Sequence, residues 1–386
     1  MAEPVLRLSV DVSAVPARPV GAGYYTMELV TALARRPDAD LVVMARRSDA
    51  SRWSLATSGQ EVVADAPASR PLRLAWEQIR LPSLLTGARV SVHHGPHYTM
   101  PEWSSVPRVV TVHDLSFFEA PEWHERSKVF LFKRAIKVAA RRAAAVVCPS
   151  QVTAEELRRW CRVDAQVFVA PHGVDTGRFH PDEPTPGADA ETLAAIDGRL
   201  IGSARLLVFI GTLEPRKDVP SLIRAFAEVA GRHPDALLVL AGGAGWGADE
   251  VDLAIDASGL APRIVRTGYV ADEAIPALLR SATAVVYPAL YEGFGLPALE
   301  ALACGARLVT TSGTAMEEVA GAACVLVPPG DRTALSAAIE AELTGAGERS
   351  QADDDRRERG LAIASRHSWD ESAARHMEAY RHAAAR

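Results

Sequence analysis

The sequence predicts an α/β chain of two doubly wound parallel sheets, and three observations carry that prediction. Short apolar, β-branched runs alternate with helical patterns along nearly the whole chain. The alternation breaks once, in the Pro-containing polar stretch Phe179–Gly202, and then resumes with the same grammar. A length of 386 residues with 48% hydrophobic content exceeds one ordinary core and suffices for two.

Taken in order, the first series of strands is Val5–Val10, Leu41–Ala45, Val90–His93, Val109–His113, Ala145–Cys148 and Val167–Ala170. Strand alternating with helix implies a parallel sheet covered on both faces. Pro181, Pro184, Pro186 and Gly187 then interrupt the periodicity, which reads as a linker. The second series is Leu206–Ile210, Ala236–Ala241, Ile264–Thr267, Ala284–Tyr287, Arg307–Thr310 and Val325–Val327, with helices such as Pro220–Ala230 and Ile275–Ser281 between them. The expected organisation is a first Rossmann-like domain over 1–180, a linker over 181–202 and a second Rossmann-like domain over 203–360. A C-terminal helix over 361–386 is expected to follow, packing back on the first domain. Ligands of such sheets collect outside the carboxyl ends of the strands, so two domains facing across a cleft are expected to hold them there.

Charge narrows the function. Lys plus Arg (42) against Asp plus Glu (48) leaves a net charge of -6, which argues against a nucleic-acid binder. Residues 1–190 hold 23 basic and 21 acidic side chains, so the acidic surplus lies in the second half. Cys148, Cys161, Cys304 and Cys324 form no C-x-x-C pair, which disfavours disulfide or zinc frameworks and fits a reducing cytoplasm. Met1–Val10 lacks the basic n-region and continuous apolar core of a signal peptide, and no apolar run reaches membrane-spanning length.

The residues that carry chemistry sit after strands. Gly21-Ala22-Gly23 precedes an apolar helix, where bare backbone N–H groups and the helix dipole suit a phosphate. His113-Asp114 closes a strand at its carboxyl end; the competing reading is a buried histidine bonded to backbone. Gly211 opens the loop to Arg216 and Lys217, two adjacent cations whose bonds to a diphosphate would each contribute roughly 1.5–3 kcal/mol. Glu292-Gly293-Phe294-Gly295-Leu296-Pro297 leads into a helix carrying Glu300. Carboxylates accept paired hydrogen bonds from vicinal hydroxyls, so Glu300 suits a ribose and Glu292 a sugar ring.

The segment Glu292–Glu300, followed by Ala301-Leu302-Ala303-Cys304-Gly305, resembles the E-x7-E signature of retaining family-4 glycosyltransferases. Further matching pieces occur in the family's order: Gly21–Gly23, Val112-His113-Asp114, Pro149-Ser150, Pro171-His172-Gly173-Val174-Asp175, Gly211–Asp218 and Gly268-Tyr269-Val270. The resemblance implies the GT-B fold, with the acceptor mainly in the first domain and the nucleotide sugar mainly in the second. It places Arg216 and Lys217 on the diphosphate, Glu300 on the ribose, and Glu292 with Phe294, Gly295 and Leu296 on the transferred sugar. Gly268, Tyr269 and Val270 would meet the base, Gly21 and Gly23 the phosphate, and His113 the sugar near its C6 hydroxyl. It implies transfer with retention in which the leaving phosphate helps deprotonate the incoming hydroxyl, needing no cofactor and no metal. Asp353-Asp354-Asp355 is read as a solvated linker rather than a metal motif. Ala22 stands where relatives often place glycine, and His172 where asparagine is common.

The same resemblance favours GDP-mannose as donor, with UDP-sugars as the alternative, and a glycan or lipid-linked acceptor. His93, His94, His97 and Tyr98 are expected to line the acceptor pocket, with Asp114 beside them. Seven basic residues between Arg126 and Arg142, interleaved with Val129, Phe130, Leu131, Phe132, Ile136 and Val138, form a basic amphipathic stretch suited to an anionic inner leaflet. The competing reading is a core helix with a solvated basic face. An epimerase, a phosphorylase and a non-catalytic nucleotide-sugar-binding protein share the expected architecture. A dinucleotide dehydrogenase does not fit, because no G-x-G-x-x-G follows the first strand directly.

Overall fold

A computed structural model describes residues 4–201, 205–347 and 350–386. The described residues fall into two compact units. The first comprises residues up to Pro121, Arg126–Gly173 and Trp369–Arg386; the second comprises Glu122–Glu125 and Val174–Ser368.

In the first unit the strands are β1 (Leu6–Asp11), β2 (Ala39–Arg46), β3 (Glu61–Ala66), β4 (Val92–Gly95), β5 (Arg108–Thr111), β6 (Ala145–Cys148) and β7 (Gln166–Val169). They form one sheet in the order β3-β2-β1-β4-β5-β6-β7, with every pairing parallel. Strand order reverses beside β1, and at such switch points helices leave to opposite faces and open a crevice at the carboxyl ends. Val42, Met44, Trp76 and Leu85 pack in one core cluster, and Val110, Val112, Ile136 and Leu157 in another. β3 is absent from the sequence-based expectation: it is an edge strand, Glu-Val-Val-Ala-Asp-Ala, whose residues other than Ala66 stay partly or wholly exposed. The run expected at Val90–His93 forms its strand two residues later, and the run Val109–His113 ends as a strand at Thr111.

The second unit repeats the plan with β8 (Arg205–Ile210), β9 (Ala236–Ala241), β10 (Ile264–Gly268), β11 (Ala284–Tyr287), β12 (Leu308–Thr311) and β13 (Val325–Val327). Its order is β10-β9-β8-β11-β12-β13, again all parallel. Leu207, Phe209, Val239, Val286, Leu299 and Ile339 belong to one continuous core, each fully buried. The switch point lies between β8 and β11, and the two loops that leave it carry the motifs singled out above.

Three expectations need correction. The linker expected over 181–202 contains the helix Ala188–Ile196 and a 3-10 turn Gly198–Ile201, and both belong to the second unit. The prolines end the periodicity, but Ala-Asp-Ala-Glu-Thr-Leu-Ala-Ala-Ile has strong helix formers, and Arg280 closes a buried ion pair on Asp189 that fastens it. The boundary expected at 202/203 lies outside the described residues. Asp353-Asp354-Asp355 is not a solvated linker: it lies within the helix Gln351–Arg366, with Asp353 and Asp354 in its first turn and Ser350 and Asp353 closing a capping box. Asp353 also accepts from Arg307 at 3.1 Å. The single final helix resolves into two, broken at His367-Ser368, and the last one, Trp369–Ala384, belongs to the first unit.

Candidate active site

In the second unit, Gly211 follows β8, and the chain reaches a 3-10 turn, Pro215–Lys217, that ends on Asp218 in the left-handed region. That turn sets Arg216 and Lys217 on one side of the β8 and β11 carboxyl ends. Leu290 N–H donates to the Arg216 carbonyl at 2.8 Å, joining the loop after β8 to the loop after β11. Glu292 meets both cations there. Arg216 Nη1 donates to Glu292 Oε2 at 2.9 Å, Lys217 Nζ donates to the same oxygen, and Tyr287 Oη donates to it at 3.3 Å. Arg216 Nε also donates to Glu214 at 3.2 Å.

The electrostatics follow from burial. Lys217 is 4% exposed, and burial, reinforced by Arg216, pulls its ammonium down to about 8 although Glu292 opposes the shift. Burial alone would raise the Glu292 carboxyl, but Arg216 and then Lys217 outweigh it and hold it at about 2. Burial, and then the Glu292 charge, raises the Tyr287 phenol, which stays neutral and able to donate. Tyr287 ends β11 and joins the cluster through Glu292, a contact that its place at the end of an apolar strand does not signal in the sequence. Its ring stacks on Phe209 at 5.4 Å and lies under Lys217 Nζ at 4.6 Å.

Gly295 explains the glycine framing of this motif. It has φ +97°, and a Cβ there would lie 2.6 Å from Met316 Cγ, so a larger residue would displace the start of the helix Leu296–Ala303. Phe294 is 4% exposed within the core, while Glu300 is half-buried on that helix. Gly268 ends β10, two strands from β8, and its carbonyl accepts from Gly242 N–H at 2.8 Å. Tyr269 beyond it is exposed and Val270 is buried.

In the first unit, His113 lies just beyond β5 and is nearly buried. Its Nε2 lies 2.7 Å from the Pro96 carbonyl, which can only accept, so Nε2 carries the proton. Burial holds the ring neutral, against the pull of that bond and of Asp114. Tyr25 and Tyr98 pack edge-on against it, with centroids at 5.0 and 5.5 Å. Tyr98 thus belongs to an aromatic cluster with Phe117 and Phe132, and His97 lies 5.9 Å from His113. Asp114 caps the next turn through Ser116 N–H and Oγ. Gly21, at φ +51°, starts the helix Ala22–Ala34, and Gly23 lies one residue inside it.

His93 and His94 do not line a pocket, contrary to expectation. Both are 1% exposed within β4, bonded to Ser9 and Thr111 respectively. His94 belongs to a hydrogen-bond chain whose direction can be fixed from one end. The Ser372 carbonyl accepts from His376 Nδ1 at 2.7 Å, so His376 Nε2, neutral because burial pushes this ring down to about 4, accepts from Tyr25 Oη at 2.8 Å. Tyr25 then accepts from Thr111, Thr111 from His94 Nε2, and His94 Nδ1 from Tyr380, each at 2.8 Å. The chain joins the last helix to the sheet directly behind His113. Residues 25 and 376 are too far apart in sequence for spacing to reveal this.

A model of glycosyl transferases group 1 matches residues 197–359, and a model of glycosyltransferase family 4 matches residues 19–178. An O-antigen chain mannosyltransferase B of Escherichia coli is 31% identical over 81% of this chain and 77% of its own length. The chain belongs to the family-4 glycosyltransferases. An MMP alpha-(1->4)-mannosyltransferase of Mycolicibacterium hassiacum is 32% identical to the glycosyltransferase over 57% of this chain and 49% of its own length. Among solved structures, a sucrose-phosphate synthase of Thermosynechococcus elongatus superposes with a TM-score of 0.77 at 20% identity, covering 97% of this chain and 98% of that one. WaaG, a glycosyltransferase involved in lipopolysaccharide biosynthesis, superposes with a TM-score of 0.70 at 15% identity, covering 96% and 98%. The glycosyltransferase therefore has the two-sheet α/β architecture of the GT-B class, and its family makes it a hexosyltransferase.

Proposed function

We propose that this glycosyltransferase moves a mannosyl group from GDP-mannose to a hydroxyl of a glycan or lipid-linked acceptor, with retention at the anomeric carbon. The observation that carries the reading is the cluster of Arg216, Lys217 and Glu292 at the switch point of the second sheet. A buried and a part-buried cation beside glycine-framed backbone suit a diphosphate, and the carboxylate suits sugar hydroxyls. The similarity to an O-antigen chain mannosyltransferase supports mannose.

In this reading the bond from the anomeric carbon to the diphosphate oxygen breaks as the bond to the acceptor oxygen forms on the same face. The acceptor proton passes to the leaving diphosphate, whose charge Arg216 and Lys217 stabilise. Glu300 holds the ribose, Gly268–Val270 the base, and neutral His113 accepts a sugar hydroxyl through Nδ1. The proposed acceptor residues His97 and Asp114 lie on the first unit. No cofactor or metal takes part. Incubation with GDP-mannose, UDP-glucose and UDP-galactose, with the product anomer read by NMR, tests the proposal. Transfer from GDP-mannose with an α linkage is expected, and an inverted product would overturn retention.

A second reading concerns location. Among the described residues no helix is long and apolar enough to cross a membrane. The stretch Arg126–Arg142 is one helix, and its Phe130 is 77% exposed. Arg134, one turn on, donates to Glu102, whose N–H donates to Gln78 Oε1 at 2.9 Å. The chain neighbours of these two, Trp103 and Ile79, are also exposed, and Arg142 lies 5.2 Å over the Trp103 ring. Exposed aromatic and aliphatic side chains beside a basic helix suit the interface of an anionic bilayer on the cytoplasmic face. Flotation with phosphatidylcholine vesicles, with and without phosphatidylglycerol, should show binding only to the anionic set; equal behaviour with both would sink this reading.

A further inference from the structure

The loop after β9 begins Gly242-Gly243-Ala244-Gly245-Trp246-Gly247, and none of these residues has a role in the chemistry assigned above. It lies along the loop after β8, which leads to Arg216 and Lys217. Leu213 N–H donates to the Gly243 carbonyl at 3.0 Å and Gly245 N–H to the Leu213 carbonyl at 3.1 Å, so Leu213 and Ala244 pair as a parallel bridge beyond the ends of β8 and β9. At Gly245 the two loops approach more closely than a side chain permits. A Cβ there would lie 2.7 Å from Glu214 Cγ and 2.9 Å from the Leu213 carbonyl oxygen. The φ of Gly245 is not positive, so this position needs glycine for space and not for backbone conformation. Gly247, two residues on, has φ +74°, and a Cβ there would lie 2.9 Å from Pro215 Cγ; at Gly243 a Cβ would meet nothing within 4 Å.

We infer that Gly245 and Gly247 are positioning residues for the diphosphate: their missing side chains let the loop after β9 seat Glu214 and Pro215, and these aim Arg216. The inference rests on the reading that Arg216 and Lys217 hold a nucleoside diphosphate. Glu214 is the link. Its carboxylate accepts from Arg216 Nε at 3.2 Å, and its carbonyl accepts the Lys217 N–H at 3.0 Å, so a shift at Glu214 reaches both cations. The far side of the turn is tied elsewhere, by Leu290 N–H on the Arg216 carbonyl at 2.8 Å and by Glu292 on Arg216 Nη1 at 2.9 Å. The turn therefore cannot follow Glu214 as a body, and the displacement falls on the guanidinium. A guanidinium is a rigid planar fork, so its bonds to phosphate depend on how it is aimed as well as on its charge. The same loop also reaches the segment assigned to the base, because Gly242 N–H donates to the Gly268 carbonyl at 2.8 Å. It acts as a spacer of fixed length between the residues that would meet the base and those that would meet the diphosphate.

The test uses the full chain as parent, Gly245→Ala, Arg216→Ala and the double variant. Each is titrated with GDP and UDP by calorimetry and with guanosine and uridine by ligand-observed NMR. Gly245→Ala should weaken the better-bound diphosphate about tenfold or more, the scale of a group moved by a fraction of an ångström to an ångström. Affinity for the matching nucleoside should stay within about twofold, as for a distant, independent site. In the Arg216→Ala chain the same change should cost far less than in the parent, since a residue that acts through Arg216 then has nothing left to misplace. Equal losses in both backgrounds, or an equal loss for the nucleoside, would make the role merely structural and overturn the inference, as would parent-like diphosphate affinity in Gly245→Ala. If urea denaturation shows that Gly245→Ala does not fold, Gly247→Ala, which meets only the Pro215 ring, decides on the same readings. A parent chain that binds neither GDP nor UDP removes the diphosphate reading itself, and this role with it.

Discussion

Arg216 Nη1 donates to Glu292 Oε2 across 2.9 Å, and Lys217 shares the same oxygen, so the two cations assigned to the diphosphate already hold one carboxylate between them. The trio is mostly buried, with side-chain exposures of 19, 6 and 15% for Arg216, Lys217 and Glu292. Each charge therefore depends on the others for the solvation it lost on folding.

Removing the carboxylate should consequently destabilise the chain. Glu292→Ala strands the buried Lys217 and the part-buried Arg216, and a broken buried pair costs roughly 3–5 kcal/mol. Urea denaturation should register that loss, and GDP should restore more stability to the variant than to the parent, because the diphosphate replaces the missing anion. Turnover should fall further than nucleotide affinity. Parent-like stability without nucleotide would mean that solvent already screens the trio.

Lys217 should give donor binding a pH dependence. Its folded value of about 8 lies below the ordinary 10.5, so the charge that meets the diphosphate is lost as pH rises through 8. GDP affinity measured by calorimetry should fall above pH 8, approaching about tenfold per unit where binding needs the protonated form. Stability should move the other way. Between about 8 and 10.5 the unfolded chain binds the proton that the folded chain has released, so the Lys217 contribution to stability increases with pH. A GDP affinity that stays flat to pH 9.5 would exclude Lys217 from the diphosphate.

Tyr25→Phe should loosen the last helix. The change leaves His376 Nε2 without its donor and Thr111 without its acceptor, both buried, at a cost of about 1–3 kcal/mol. Hydrogen exchange should accelerate in Trp369–Ala384 and around His113 while the second unit keeps its protection. Uniform acceleration across both units would show that the network has no local role.

Much of the fold was legible because each buried parallel strand is a short continuous apolar run. Ala145–Cys148, Ala236–Ala241, Ala284–Tyr287 and Val325–Val327 occupy the expected residues. Where the chain departs from that pattern, the reading failed for identifiable reasons. β3 is a half-exposed edge strand with charges at two of its six positions. The helix Ala188–Ile196 hides behind prolines that punctuate the chain before it, and its attachment, Arg280 to Asp189, is set by tertiary contact. In the candidate site, Arg216, Lys217 and Glu292 could be singled out from local motifs, but not that Glu292 pairs with both cations.

The central claim is that the second unit holds a nucleotide diphosphate on Arg216 and Lys217. Thermal stabilisation by GDP, UDP, ADP, CDP and dTDP, measured without metal on the parent chain and on Arg216→Ala and Lys217→Ala, tests it most directly. A shift with GDP that grows with concentration as RT ln(1 + [L]/Kd) and is lost in both variants is the expected result. No shift with any nucleotide, or the same shift in both variants, would contradict the claim.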